Sequence, residues 1–145
     1  MKRAYWLMKS EPSVYPFSKL VSDGRTRWDG IRSYEARNNL RAMSVGDLCL
    51  FYHSNEGKEI VGVARVSREA YPDPTTEDDW SAVDIEPIVK LTAPVGLDAI
   101  RKGAKTKSMA LVKKSRLSVT PVEEGEFEAV LAVSDTKLPR PKAPR

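Results

Sequence analysis

The sequence is poor in the residues that bind metals and form disulfide bonds. Its 145 residues include one cysteine, Cys49, and one histidine, His53. A single cysteine excludes an intramolecular disulfide framework and is typical of proteins from a reducing compartment. One cysteine and one histidine cannot complete a structural zinc site, and no spacing of carboxylates suggests a calcium loop. We therefore expect no metal and no cofactor, and a cytoplasmic protein, or a nuclear one in a eukaryote.

Long apolar runs and glycine-rich phosphate loops are also missing. No segment reaches the ~20 apolar residues of a membrane span. The apolar part of the N-terminal segment, residues 4–8, is shorter than the roughly 7–15 residues of a signal-peptide core. No GxxxxGK[ST] pattern is present, so the usual apparatus of nucleotide hydrolysis is absent. The composition, 41% hydrophobic and 30% charged, is typical of one globular domain. We expect this domain over residues 1–135, followed by a disordered, basic, proline-rich tail over residues 136–145.

Nucleophilic catalysis is not indicated by the only cysteine and histidine. Cys49 and His53 lie four residues apart in a segment that is predicted to be a strand. At ~3.3 Å per residue their side chains would be roughly 13 Å apart on one face. A nucleophile and its base need to be about 3 Å apart. We therefore expect Cys49 to be part of the packed core and the protein not to be an enzyme.

The charge of the chain is unevenly distributed. The net charge is +4, but the segment 136–145 contains four bases and no acid, so the rest of the chain is neutral overall. The segment 69–86 contains seven acids and no base, whereas the segment 101–116 contains seven bases and no acid. One side of the molecule could then be positive, as nucleic-acid binding requires. A solvated, lysine-rich loop explains the basic segment equally well.

The hydrophobic pattern predicts a mixed α+β domain whose strands form a small curled sheet or barrel. In the first predicted helix, Phe17, Leu20 and Val21 face inward and Gly24 ends the helix. Ser33 is the predicted N-cap of a second helix. The predicted strands span residues 4–9, 48–53, 60–68, 83–91 and 117–120. Four helices are predicted. Two span residues 16–22 and 97–102, a third follows Ser33, and a fourth begins at Pro121.

Polar and aromatic side chains are concentrated where predicted strands end. These side chains are the neighbours Lys9 and Ser10 and the cluster of Tyr52, His53 and Ser54. The ring of Trp28 lies outside the predicted strands, close to Gly30, a residue that lets backbone approach closely. Flat rings together with cationic and amide groups can hold a planar heterocycle next to a phosphate. A tryptophan or histidine on its own is more often a core or surface residue. The joint occurrence of these groups, with both polar clusters at strand ends, favours a ligand site.

Five blocks of sequence occur in an order that resembles the EVE-domain family. They are YWLMKSEP, WxGIR with ARNxLRxM, VGDxxxFYHS, AYPDPT and MALVxxSRLSV. The resemblance covers residues 4–133. It implies a PUA-like fold, a small mixed β pseudobarrel flanked by short helices. It also implies a domain that reads a modified nucleobase in DNA or RNA.

The resemblance assigns site residues by position. Those implied to line the pocket or its rim are Lys9, Ser10, Trp28, Gly30, Arg32, Tyr52, His53 and Ser54. Three further matches, Arg37, Asn38 and Arg116, are implied as backbone contacts or supports. Ser33 stands where many relatives have asparagine, which leaves the base preference open. We expect Trp28 and Tyr52 to meet in one open cavity.

The resulting hypothesis is a monomeric, non-catalytic reader. A base leaves its stack and lies against Trp28 or Tyr52, while Ser10 or Ser54 bonds its polar edge. Arg32 and the bases of the segment 101–116 hold the flanking phosphates. Two alternatives stay open. One is an enzyme that acts on a nucleotide or small anion with His53 as acid or base; the other is an adaptor whose acidic segment 69–86 docks a basic partner.

Overall fold

The computed structural model describes residues 3–139, which form six strands and five short helices. The strands are β1 (Tyr5–Ser10), β2 (Thr26–Trp28), β3 (Leu48–His53), β4 (Glu59–Pro72), β5 (Ser81–Gly96) and β6 (Val119–Val122). The helices are α1 (Phe17–Asp23), α2 (Tyr34–Ala42), α3 (Leu97–Lys102), α4 (Ala110–Lys113) and α5 (Glu124–Val133). This mixture confirms the predicted α+β class. Among residues 3–139, none of the helices has the length and hydropathy of a membrane span.

All six strands belong to one sheet with the order β2-β5-β4-β3-β1-β6. Strands β1 and β3 are parallel, and the other neighbouring pairs are antiparallel. Strand β3 lies inside the sheet and is buried from Leu48 to Tyr52, as a strand that is apolar on both faces should be. The sequence therefore predicted the central position of β3 correctly.

The sheet separates two hydrophobic cores. One core contains Trp6, Met8 and Phe51 and is covered by α1 and α2. The other contains Leu7 and Tyr52 and is covered by α3, α4 and α5. Successive residues of a strand point to opposite faces, so neighbours in β1 and β3 enter different cores. This alternation also determines how the polar residues at the strand ends are distributed.

The predicted helix caps are present. The hydroxyl oxygen of Ser33 accepts a hydrogen bond from the amide of Ala36 at 3.4 Å and begins α2. Gly24 ends α1 in the left-handed conformation, with φ of 77°, and its amide donates to the carbonyl of Leu20 at 2.9 Å. Short polar and flexible residues thus determine these two helix ends.

Two predictions about local structure are wrong. Val21 is 54% exposed, because α1 has only seven residues and buries Phe17 and Leu20 alone. Pro121 does not begin a helix; it lies in the edge strand β6 opposite Trp6, a position where a proline costs no sheet hydrogen bond. Helix α5 begins three residues later, where Glu123 and Glu126 form a capping box.

Other elements differ in extent from the predictions. Both long strands extend further than predicted: β4 continues to Pro72, and β5 already begins at Ser81. The loop between them is therefore shorter than predicted. Strand β2 and helix α4 were not predicted; each has four residues or fewer, too few for a periodic pattern. At the C-terminal end, Thr136 is buried and accepts a hydrogen bond from the amide of Thr92 at 2.8 Å. The rest of the predicted tail beyond residue 139 lies outside the described residues.

Candidate functional site

The ends of β1 and β3 bring two of the polar sequence blocks together. These strands are parallel and in register, with Lys9 opposite Tyr52 and Ser10 opposite His53. Because both strands end at the same edge of the sheet, all four residues lie at that edge. Because successive side chains of a strand point to opposite faces of the sheet, Ser10 and His53 lie on one face and Lys9 and Tyr52 on the other. Two cavities result, one on each face.

The first cavity, which we term the Trp28 pocket, has a volume of about 290 Å³. It is lined by Ser10, Val14, Tyr15, Thr26, Arg27, Trp28 and Asp29. The charges at its rim are paired, since Arg27 Nε contacts Asp29 Oδ2 at 2.7 Å. The pocket is therefore aromatic and close to neutral.

Trp28 is held in place by other rings. It ends the edge strand β2, opposite Val83 of β5, and its side chain is half-buried. Its ring makes edge contacts with Tyr15, at 6.3 Å between centroids, and with Phe51, at 5.6 Å. Edge-to-face contacts of this kind fix the orientation of a ring. One part of the indole consequently faces the pocket in a defined orientation.

Ser10 fixes the chain that forms the opposite wall of the Trp28 pocket. Its hydroxyl donates to the carbonyl of Tyr15 at 2.6 Å, and the residue is buried. Since the hydroxyl proton is used in this bond, the oxygen of Ser10 offers a ligand an acceptor rather than a donor. This is the one polar group of the pocket that the sequence predicted.

His53 supports the same wall and lines neither cavity. Its Nε2 accepts a hydrogen bond from the amide of Phe17 at 3.1 Å, at the start of α1. This bond assigns the proton of the neutral ring to Nδ1. Burial lowers the pKa of His53, although Glu59 acts in the opposite direction, so the neutral form is favoured. His53 thus anchors the segment that carries Tyr15.

Gly30 and Arg32 both donate hydrogen bonds to one buried carboxylate, that of Asp73. The side chain of Asp73 is fully buried, and it accepts hydrogen bonds from the amide of Gly30 at 2.9 Å and from Arg32 Nη1 at 2.9 Å. It also accepts two hydrogen bonds from Thr75, one from the amide at 2.8 Å and one from the hydroxyl at 2.6 Å. We call this arrangement the Asp73 clamp. It joins the β4–β5 loop to the chain that follows Trp28, and it engages the guanidinium that was expected to hold phosphate.

The pKa of Asp73 reflects this network. Burial by itself would raise the pKa of the carboxyl, but the hydrogen bonds from Thr75, Gly30 and Arg32 outweigh burial and hold the pKa well below its usual range. The carboxylate therefore stays charged at neutral pH. At least one of the seven acids in segment 69–86 consequently has an internal structural role.

The second cavity, which we term the basic groove, has a volume of about 450 Å³ and lies on the opposite face. Its lining residues are Lys9, Glu11, Tyr52, Ser54, Asn55, Lys58, Leu97, Arg101, Leu111, Ser115, Arg116 and Ser118. Four of these are cations and one is a carboxylate. Lys58, Arg101 and Arg116 form no ion pair with a carboxylate among residues 3–139. The groove consequently has an excess of positive charge.

Individual groups in the basic groove are also held in place. Lys9 Nζ donates to the carbonyl of Ser115 at 2.7 Å, and burial lowers the pKa of this ammonium group. Burial raises the pKa of the Tyr52 hydroxyl, with Arg101 acting in the opposite direction. The amide of Ser54 donates to the carbonyl of Ser10 at 2.9 Å and ties the turn after β3 to the end of β1.

The expectation that Trp28 and Tyr52 share one cavity is wrong. Trp28 packs against the core under α1 and α2, whereas Tyr52 belongs to the other core and is 3% exposed. Asn38 lies on α2, lines neither cavity, and accepts hydrogen bonds from Arg37 Nε at 3.3 Å and Nη2 at 3.2 Å. Some of the predicted residues thus line one of two separate cavities. The others line neither cavity and form hydrogen bonds within the protein.

Cys49 has no partner for catalysis within the described chain. It is 1% exposed, and burial raises the pKa of its thiol far above the usual range. Its prediction as a core residue is confirmed. Among residues 3–139, no group of three or more histidine, cysteine, aspartate or glutamate side chains is arranged to hold a metal ion.

Comparison with known proteins assigns this architecture to a family. The model of the EVE domain matches residues 4–133. The chain belongs to the EVE-domain family. Mouse thymocyte nuclear protein 1 is 34% identical, and the match covers 92% of this chain and 74% of that protein. The resemblance inferred from five sequence blocks is thereby confirmed.

Solved structures of relatives have the same fold as this EVE domain. The crystal structure of a protein from Agrobacterium tumefaciens is 41% identical, has a TM-score of 0.90, and covers 98% of this chain and 99% of its own. Human THYN1, crystallised with 5-methylcytosine containing DNA, is 32% identical with a TM-score of 0.83, and the match covers 92% and 99% of the two chains. These matches confirm the predicted PUA-like α+β fold.

A more distant structure shares the fold alone. The YTH domain of Zygosaccharomyces rouxii MRB1, in complex with N6-methyladenosine RNA, is 15% identical with a TM-score of 0.60. The match covers 97% of this chain and 90% of that one.

Two residues of this EVE domain escaped sequence-based reasoning. Tyr15 forms a wall of the Trp28 pocket. Its position in the sequence, an aromatic residue shortly after the strand that ends at Ser10, could have indicated this role. Asp73 contacts Gly30 and Arg32 from 43 and 41 positions away, and it was hidden in a run of acids. A sequence without an alignment gives no sign of a hydrogen bond over that separation.

The Asp73 clamp predicts a pH-dependent loss of stability. The variant Asp73→Asn should lower the free energy of unfolding at pH 7 by about 2 kcal/mol, because it removes charge-assisted hydrogen bonds from a buried group. Since the folded-state pKa of Asp73 is depressed, this contribution is complete above the ordinary carboxyl pKa of about 4 and declines as pH falls below it. Thermal melts at pH 7 and pH 3 measure the difference.

The control for this prediction is Asp98→Asn, which changes an exposed carboxylate on α3. The gap in melting temperature between wild type and Asp73→Asn should shrink at pH 3, while the control stays close to wild type at both values. A gap of equal size at pH 7 and pH 3 would show that the charge of Asp73 is not what stabilises the clamp.

Proposed function

We propose that this EVE domain is a non-catalytic reader that takes one modified nucleobase of DNA or RNA into the Trp28 pocket. In this proposal the basic groove holds the flanking phosphates. The observation that carries it is the position of the two cavities, which lie on opposite faces of the same strand ends. Lys9 lines the basic groove, and the next residue, Ser10, lines the Trp28 pocket.

The Trp28 pocket suits a single flat ring. Its volume of about 290 Å³ is just below the range that is typical of ligand pockets, ~300–1,000 Å³. Trp28 and Tyr15 provide aromatic surface for stacking, and Ser10 provides an acceptor for the polar edge of a base. The paired charges of Arg27 and Asp29 leave the rim without an excess of charge to attract an ion. These features favour a neutral heterocycle over a free anion.

The energies of base binding explain why a second contact region is needed. Stacking on an aromatic side chain contributes ~1–3 kcal/mol per base. Extruding a base from a duplex costs a few kcal/mol, so the ring contact roughly cancels that cost. Net affinity for a duplex then depends on edge bonding and on phosphate contacts, which weaken as salt increases. The unpaired cations of the basic groove can provide such contacts.

A relative supports the same function. Human THYN1, 32% identical, has been crystallised with DNA that contains 5-methylcytosine. We propose a modified base as the ligand of this chain also, and DNA as the first polymer to test. His53 and Cys49 support a binding role rather than a catalytic one, because Nε2 of His53 is bonded to an amide and Cys49 is buried. The predicted monomeric state and compartment stay predictions.

Removal of the indole tests the pocket. The variant Trp28→Ala should weaken binding of a 5-methylcytosine oligonucleotide by at least about fivefold, because stacking of ~1–3 kcal/mol is lost. Fluorescence anisotropy with a labelled oligonucleotide measures the affinity, and circular dichroism verifies the fold. The matched control is Trp80→Ala, another partly exposed tryptophan that does not line this pocket. Unchanged affinity in a folded Trp28→Ala protein would remove Trp28 from the site.

Removal of two cations tests the groove. The double variant Arg101→Ala with Arg116→Ala should reduce the slope of log affinity against log salt by about two, roughly one for each lost phosphate contact. The control is Lys105→Ala with Lys107→Ala, which removes the same charge from the same basic segment but outside the groove. Equal slopes for the two double variants would show that net charge acts without a specific phosphate site.

A further inference from the structure

An exposed valine lies at the rim of the Trp28 pocket. Val14 is 74% exposed, more than any other large hydrophobic residue described as exposed in residues 3–139. It follows β1 and lines the pocket beside Tyr15 and Trp28. Exposed valines occur elsewhere on the surface, but Val21 and Val45 line none of the cavities of this site. Val14 is distinguished by exposure at the entrance of a base-sized pocket.

The loop that carries Val14 is held in place at both ends. The amide of Val14 donates to the carbonyl of Glu11 at 2.9 Å, which closes a tight turn. The next carbonyl, of Tyr15, accepts the hydroxyl of Ser10, and the amide of Phe17 donates to His53. Pro12 and Pro16 further restrict the backbone. The branched side chain is itself stiff. Val14 is thus presented to solvent by an ordered loop.

We propose that Val14 enters the base stack of a duplex and fills the space vacated by the base that moves into the Trp28 pocket. This inference rests on the proposed function and adds that the ligand is double-stranded. Extrusion of a base leaves an apolar gap between the faces of two neighbouring bases. Proteins that bend or open DNA commonly insert an apolar side chain between base steps. A rigid, exposed valine beside the receiving pocket has the chemistry and the position for that role.

A gap exists only in a duplex, so the role of Val14 separates two forms of the same ligand. In a single strand, the modified base can enter the pocket without leaving a gap in a paired stack. Val14 should then contribute to the affinity for duplex DNA and contribute little to the affinity for the single strand. A side chain that merely forms part of the pocket wall would contribute equally to both.

The experiment uses one oligonucleotide with a single 5-methylcytosine, as a single strand and as a duplex with its complement. Affinities of the full chain are measured by anisotropy for wild type, Val14→Ser, Val14→Leu and the matched control Val21→Ser. Val14→Ser should weaken duplex binding about tenfold, since an apolar contact is lost, and change single-strand binding less than about twofold. Val14→Leu should keep duplex affinity within about twofold of wild type, and Val21→Ser should match wild type for both forms.

Several outcomes overturn the inference. An equal loss for both forms in Val14→Ser would make Val14 a wall of the pocket, and no loss for either form would remove it from the interface. Binding of the single strand alone by wild type would overturn the inference and leave the base reader intact. If wild type binds neither form, the proposed function fails for this base and the inference about Val14 fails with it.

Discussion

The parallel pairing of β1 with β3 determines where the parts of the proposed interface lie. Because the two strands are in register and end together, Ser10 lies opposite His53 and Lys9 lies opposite Tyr52. Alternation along each strand then places an aromatic pocket on one face and a basic groove on the other. A shift of one residue in this register would exchange the polar groups between the two faces. The proposed separation of ring binding from phosphate binding thus follows from the pairing of the two strands.

Neither wall of the Trp28 pocket belongs to a long element of secondary structure. Trp28 ends a strand of three residues, and Tyr15 lies in the loop before α1. Partly buried hydrogen bonds hold both walls in place: the amide of Phe17 donates to His53, and the amide of Gly30 donates to Asp73. A pocket that is ordered before the ligand arrives loses less conformational entropy on binding. His53 and Asp73 therefore hold the backbone around the pocket and do not line the pocket themselves.

Local patterns predicted much of the fold. The apolar run of β3, the N-cap Ser33 and the terminating Gly24 each depend on a few neighbouring residues, and each is found as predicted. The start of α5 was misplaced, because a proline can begin a helix or lie in an edge strand, and only the neighbouring strand decides between them.

The candidate site was predicted less completely than the fold. The sequence identifies the residues at the strand ends, but side-chain alternation places Lys9 and Ser10 on opposite faces, and likewise Tyr52 and His53. The Asp73 clamp depends on contacts across more than 40 positions, which hydrophobic periodicity does not encode.

The most direct test of the two-cavity assignment is a crystal structure of the protein with a bound oligonucleotide that contains 5-methylcytosine. We expect the methylated base to lie against Trp28 with its polar edge near Ser10 Oγ. We also expect a flanking phosphate to lie within hydrogen-bond distance of Arg101, Arg116 or Lys9. A base that instead lies in the basic groove near Tyr52, with the Trp28 pocket empty, would contradict the assignment of the two cavities.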